Sequence, residues 1–101
     1  MKNKNIRFFL FGSILSHKKF SNINDIDILI LYDKKKIKNI SRKAECIRNY
    51  TLATYNKKAH LTILNFTEYE SLNENLIETF NLKEFSLKEI KKVLDIKSSA
   101  K

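Results

Sequence analysis

The chain of 101 residues contains no proline and no tryptophan, and a single glycine and a single cysteine. One cysteine excludes an internal disulfide and a multi-cysteine zinc cluster, which is the cysteine usage of a reducing, cytoplasmic setting. Cys46 itself reads as a small buried hydrophobe on a helix. The lack of proline and near-lack of glycine leave few loop signals, so regular elements should follow one another closely. No apolar run approaches the roughly 18 residues that a membrane span needs. Met1–Asn5 is basic, yet Phe8–Leu15 is too short for a convincing export signal, and neither a leader nor a membrane anchor is expected. Acidic residues are scarce: 11 against 20 lysines and arginines, a net charge of +9. That balance favours acidic partners such as nucleotides, RNA, DNA or an acidic protein. The cations are mostly lysines, as in Lys34–Lys36 and Lys91–Lys92, with no interleaved aromatics. They read as solvated faces rather than a nucleic-acid platform.

What is present bounds the architecture. The length suits one small domain with one core, over residues 1–101, with residues 1–5 and 97–101 expected to fray. Apolar residues make up 43%, enough to drive folding. Ile6–Phe11, Asp25–Tyr32 and Lys58–Asn65 read as strands. Lys34–Asn56 has helical period, with Ile37, Ile40, Ala44, Ile47 and Thr51 at three- and four-residue steps. Thr67 and Glu70 are spaced as a capping box opening a helix with Tyr69, Leu72, Leu76 and Phe80 on one face. Ser86 and Glu89 repeat the spacing before Ile90, Val93 and Leu94. The expected fold class is α/β, a mixed sheet of three or slightly more strands packed with helices.

The most informative residues are Gly12-Ser13 and, eleven residues later, Asp25-Ile26-Asp27. Strand side chains alternate, so Asp25 and Asp27 share one face while Ile26 and Ile28 point to the other. Two carboxylates that close repel unless a cation lies between them, and oxygen ligands suit Mg²⁺. Gly12 is the chain's only glycine and follows the apolar run Phe8–Phe11, where it permits close approach of backbone to a ligand. Ser13 adds a hydroxyl. A phosphate site beside a metal site points to phosphoryl or nucleotidyl chemistry. The alternative is an ordinary turn and a solvated strand-start pair.

Phe11-Gly12-Ser13 followed by Asp25-Ile26-Asp27-Ile28 resembles the motif of the nucleotidyltransferase superfamily of DNA polymerase β type. The short length resembles its minimal nucleotidyltransferases, many of them antitoxins to HEPN-type toxins. The resemblance covers roughly Ile6 to Asn65. It implies that Asp25 and Asp27 bind Mg²⁺ or Mn²⁺. It implies that Gly12 and Ser13 contact the β- and γ-phosphates of an NTP, ATP by family analogy. The implied reaction is attack of a hydroxyl on the α-phosphate with release of pyrophosphate. Lys18 either helps to neutralise the triphosphate or is a solvated loop lysine. The family's third carboxylate is missing from Lys58–Asn65. His60 stands at the equivalent position, with Thr62 as the other candidate. His60 reads as a metal ligand, as a general base, or as a surface residue that replaced an acid. Three functions follow as alternatives: a nucleotidyltransferase acting on a protein or RNA hydroxyl, a catalytically impaired binding antitoxin, or a basic nucleic-acid-binding domain. The chain is too short to carry its own acceptor-binding domain, so a HEPN-type toxin or a homodimer is the expected partner, with no membrane involved.

Overall fold

A computed structural model describes residues 5–16, 19–72 and 74–99. The elements in chain order are β1 (Ile6–Phe11), β2 (Asp25–Tyr32), α1 (Ile40–Tyr55), β3 (Lys58–Asn65), α2 (Phe66–Glu70), α3 (Leu76–Thr79), β4 (Lys83–Phe85) and α4 (Leu87–Ser99). Two 3-10 turns, Gly12–Leu15 and Phe20–Asn22, lie between β1 and β2. The sheet has the order β3-β2-β1-β4. β1 runs antiparallel to β2 and β4, whereas β2 and β3 are parallel and joined through α1. A parallel pair requires such a crossover, and a helix supplies it. The α/β class and mixed sheet are as the sequence suggests, and the bounds of β1, β2 and β3 coincide with the expected runs.

Alternation along the strands divides the core in two. Phe8, Leu10, Ile26, Ile28 and Ile30 pack on one face with Tyr55 of α1 and Ile90 and Leu94 of α4. Phe9, Leu29 and Leu31 pack on the other, against Leu64, Phe66, Tyr69, Ile77 and Leu82. The central strands are therefore covered on both sides, which is why β1 and β2 read as near-continuous apolar runs. Asp25 and Asp27 share the second face with Leu29 and Leu31. The short helices α2 and α3 do not cover the Asp25 end, and Asp25 is exposed there.

Helix boundaries depart from the periodicity for identifiable reasons. α1 begins at Ile40 rather than Lys34. Asp33 diverts the chain: its carboxylate accepts from the Lys35 amide at 2.9 Å, and its carbonyl accepts from Lys36 and Ile37. Such local bonds compete with helix. Asn39 then caps α1 by accepting from the Arg42 amide. The capping box of α2 is Asn65 with Glu68, not Thr67 with Glu70. The single helix expected from Thr67 to Phe80 is two helices, because Asn75 caps a new start by accepting from Ile77 and Glu78. Strand β4 was not anticipated; three residues are too few to show a period. It is secured on β1 by Arg7, which donates to both Glu84 oxygens at 2.8 and 3.1 Å. The Ser86–Glu89 capping box forms as expected. α4 continues through Ser99, so residues 97–99 are helical rather than frayed. The remaining terminal expectations, for residues 1–4 and 100–101, lie outside the described residues. Cys46 is exposed, not buried: it lies one step, about 100° of helix rotation, off the stripe formed by Ala44, Ile47 and Thr51. Among the described residues no helix is long and apolar enough to cross a membrane.

Tyr55 links the two long helices. Its hydroxyl donates to Asp95 Oδ1 at 2.6 Å, and its ring packs edge-on against Phe20 and Tyr50. Burial first, and then the bond to the Asp95 carboxylate, push the phenol above its ordinary value. A folded-state value raised in this way gives stability that is present below the unfolded-chain value of about 10 and lost as pH climbs past it. Tyr55→Phe is expected to cost about 1 kcal/mol at pH 7. Urea unfolding should show that difference shrinking above about pH 10, where only the wild type must give up a proton-dependent contribution.

Candidate active site

The site is assembled where β1 ends and β2 begins. Antiparallel pairing sets Phe11 opposite Asp27, and parallel pairing sets His60 beside Asp27 from the other flank. The chain leaves β1 at Gly12 and turns over the Asp27 carboxylate. Gly12 has φ +77°, and a Cβ placed there would collide with Asp27 Oδ2 and lie 3.3 Å from its Cγ. Glycine is thus required twice, for left-handed backbone and for space. The turn is held by Ser16, whose amide and hydroxyl both donate to the Ser13 carbonyl at 3.0 and 2.6 Å. Lys97, near the end of α4, donates to the Ser16 carbonyl at 3.2 Å. Ile14 anchors the turn from beneath, fully buried.

Asp27 is therefore enclosed on two sides: Oδ2 faces Gly12, and Oδ1 lies 3.2 Å from His60 Nδ1. An ionised carboxylate only accepts, so this bond requires the imidazole proton on Nδ1 and leaves Nε2 as the acceptor of a neutral ring. The His60 side chain is 67% exposed and that of Asp27 24%. Asp25 is exposed at the start of β2, in register with Lys58. Thr62 is half-buried and, with Phe11, Gly12, Leu29, Leu76 and Phe80, lines an apolar cavity of about 400 Å³ beside the turn. The structure brings Gly12, Asp27 and His60 together and sets Ser13 in the adjoining turn. Lys18 and His17 lie outside the described residues. The contribution of Lys97 had no sequence signal, because it acts across 81 residues.

Among the described residues no group of three His, Cys, Asp or Glu side chains is placed to hold a metal ion by itself. The donor chemistry nonetheless fits Mg²⁺, which usually keeps several waters and takes one or two carboxylates together with substrate phosphates. Asp25 and Asp27 supply hard oxygens with the solvent side open. A family model described as the nucleotidyltransferase domain matches residues 1–97. The chain belongs to this family. Comparison with curated proteins and with solved structures gives no match. Membership in the nucleotidyltransferase domain family carries nucleotidyl transfer as the general activity, and such domains typically use an NTP and a divalent metal ion.

Proposed function

We propose that this nucleotidyltransferase domain transfers an NMP, AMP as the first choice, from an NTP to a hydroxyl on a protein or RNA. The observation that carries the reading is the packing of Gly12 on Asp27, with His60 bonded to the same carboxylate. Asp25 and Asp27 would hold Mg²⁺ or Mn²⁺. When bound, the ion supplies charge stabilisation for the triphosphate and the departing pyrophosphate. The Gly12-Ser13 turn admits the β- and γ-phosphates close to backbone. The acceptor oxygen forms a bond to the α-phosphorus while the bond to the pyrophosphate oxygen breaks. His60 Nε2 takes the acceptor proton, and Asp27 keeps the ring in the required tautomer. The partner would be a HEPN-type toxin, with a homodimer or an RNA as other sources of the acceptor, in the cytoplasm.

A second reading is favoured by the absence of an acid from β3: a binding antitoxin with the same fold and impaired transfer. Each α-³²P-labelled NTP, incubated with the protein, Mg²⁺ or Mn²⁺ and a lysate of the source cell, separates the two. Label on one protein or RNA band, lost with Asp25→Asn, is expected of the transferase. No label with any nucleotide, from folded protein and a lysate containing the partner, would leave the binding antitoxin. A steeply salt-sensitive affinity for RNA or DNA without label would favour a basic nucleic-acid-binding domain.

His60 separates catalysis from structure. Its side chain is largely exposed, so His60→Ala should change unfolding stability by no more than about 0.5 kcal/mol. Loss of a general base should lower kcat about 10²–10⁴-fold and remove the corresponding limb of the pH–rate profile. Single-turnover kinetics across pH 5–9 check both, and an unchanged profile would return His60 to the surface.

A further inference from the structure

The face of the sheet opposite Asp27 carries a cleft that the transfer reaction does not use. It lies between α1 and α4 and has a volume of about 610 Å³. Ile28 of β2 forms its floor, and Ile47, Leu87, Ile90 and Leu94 contribute its apolar walls. Tyr55 at the end of α1 bonds Asp95 of α4, and Lys91, in the second turn of α4, bridges the two helices over the Tyr50 ring at 4.5 Å from its centroid. Arg42 and Lys43 near the start of α1 and Lys88 at the start of α4 line the cleft. With Lys91 they make four cations among the described lining residues, none of which is acidic. The α1 wall from Asn39 to Thr51 is about 18 Å long, roughly three helical turns.

We propose that this cleft docks an amphipathic helix of a partner protein, one whose apolar ridge is flanked by Asp and Glu. A groove of this length takes apolar anchors at i, i+3 or i+4, and i+7. The cationic lining selects carboxylates beside those anchors and penalises basic helices. The partner thereby approaches from the face opposite the Gly12–Asp27 site. The inference stands independently of the catalytic assignment.

Cys46 provides the test, because it is the only cysteine, is exposed and lines the cleft. Three 18-residue helical peptides serve as probes: leucine ridge with glutamate flanks, leucine ridge with lysine flanks, and alanine ridge with glutamate flanks. Binding is read by fluorescence anisotropy and by the rate at which a water-soluble maleimide labels Cys46 in the full chain. The Leu/Glu peptide is expected to bind at least about tenfold more tightly than either control, and to slow Cys46 labelling by a similar factor. Cys46→Trp, which fills the cleft from an exposed position, should weaken it about tenfold. Arg42→Glu/Lys88→Glu should do the same and remove the salt dependence. Both sites lie in the first turns of their helices, where an acid suits the helix dipole, so circular dichroism and melting should be retained. Equal binding of the Leu/Lys peptide would overturn the proposal. So would Leu/Glu binding that both variants leave intact, Cys46 protection by self-association without peptide, or protection by decanoate but by none of the peptides.

Discussion

Asp27→Asn is expected to remove nucleotidyl transfer by a factor on the order of a thousand or more while leaving the fold in place. Asparagine keeps the size and planarity of the carboxylate, so the packing against Gly12 survives. What is lost is the negative charge and a hard anionic oxygen. The ion's stabilisation of developing phosphate charge is worth several kcal/mol, and each 1.36 kcal/mol is tenfold in rate. The hydrogen bond to His60 is weakened as well, because an amide oxygen accepts less strongly than a carboxylate. The bond to His60 is partly exposed and contributes little to stability, so the melting temperature should stay close to that of wild type in metal-free buffer. Transfer rate and thermal unfolding measured on the same preparation check both halves. A rate within tenfold of wild type would remove Asp27 from the chemistry.

Gly12→Ala is expected to damage both stability and transfer. The left-handed φ of +77° costs an L-residue about 1–2 kcal/mol. The added methyl also meets Asp27 Oδ2, and that neighbour is a short side chain on a central strand with little room to give. A displacement of Asp27 by even about 1 Å is enough to cost roughly a hundredfold in rate. The two penalties can be separated with a double-mutant cycle. Gly12→Ala/Asp27→Ala should recover the part of the stability loss that comes from collision and retain the part that comes from φ. Full additivity of the two single changes would show that the turn does not rest on Asp27.

The strands carrying the site were legible because both halves of the pattern are local. Phe8–Phe11 and Ile28–Leu31 are apolar on both faces, as strands covered on both sides must be. Alternation alone placed Asp25 and Asp27 opposite Ile26 and Ile28. A lone glycine after a buried strand signalled a special backbone, and its φ bears that out. The juxtaposition of His60 and Asp27 follows from register between β2 and β3, which sequence suggests only through the family's pattern. Illegible features were those decided by side-chain competition or by distance. Asp33, Asn65 and Asn75 set helix ends by capturing amides, overriding the 3.6-residue period around them. β4 gains its place from pairing with β1 rather than from its own three residues. The cleft beside Cys46 depends on where α4 lies over the sheet, some 40 residues later in the chain.

The most direct measurement is the paramagnetic effect of Mn²⁺ on amide resonances of the ¹⁵N-labelled protein, with a non-hydrolysable ATP analogue present. The site described above predicts that Asp25, Asp27, Gly12, Ser13 and His60 broaden first and that the effect disappears in Asp27→Asn. Broadening centred elsewhere, or an unchanged pattern in Asp27→Asn, would contradict the assignment of the Gly12–Asp27 edge as the metal and nucleotide site.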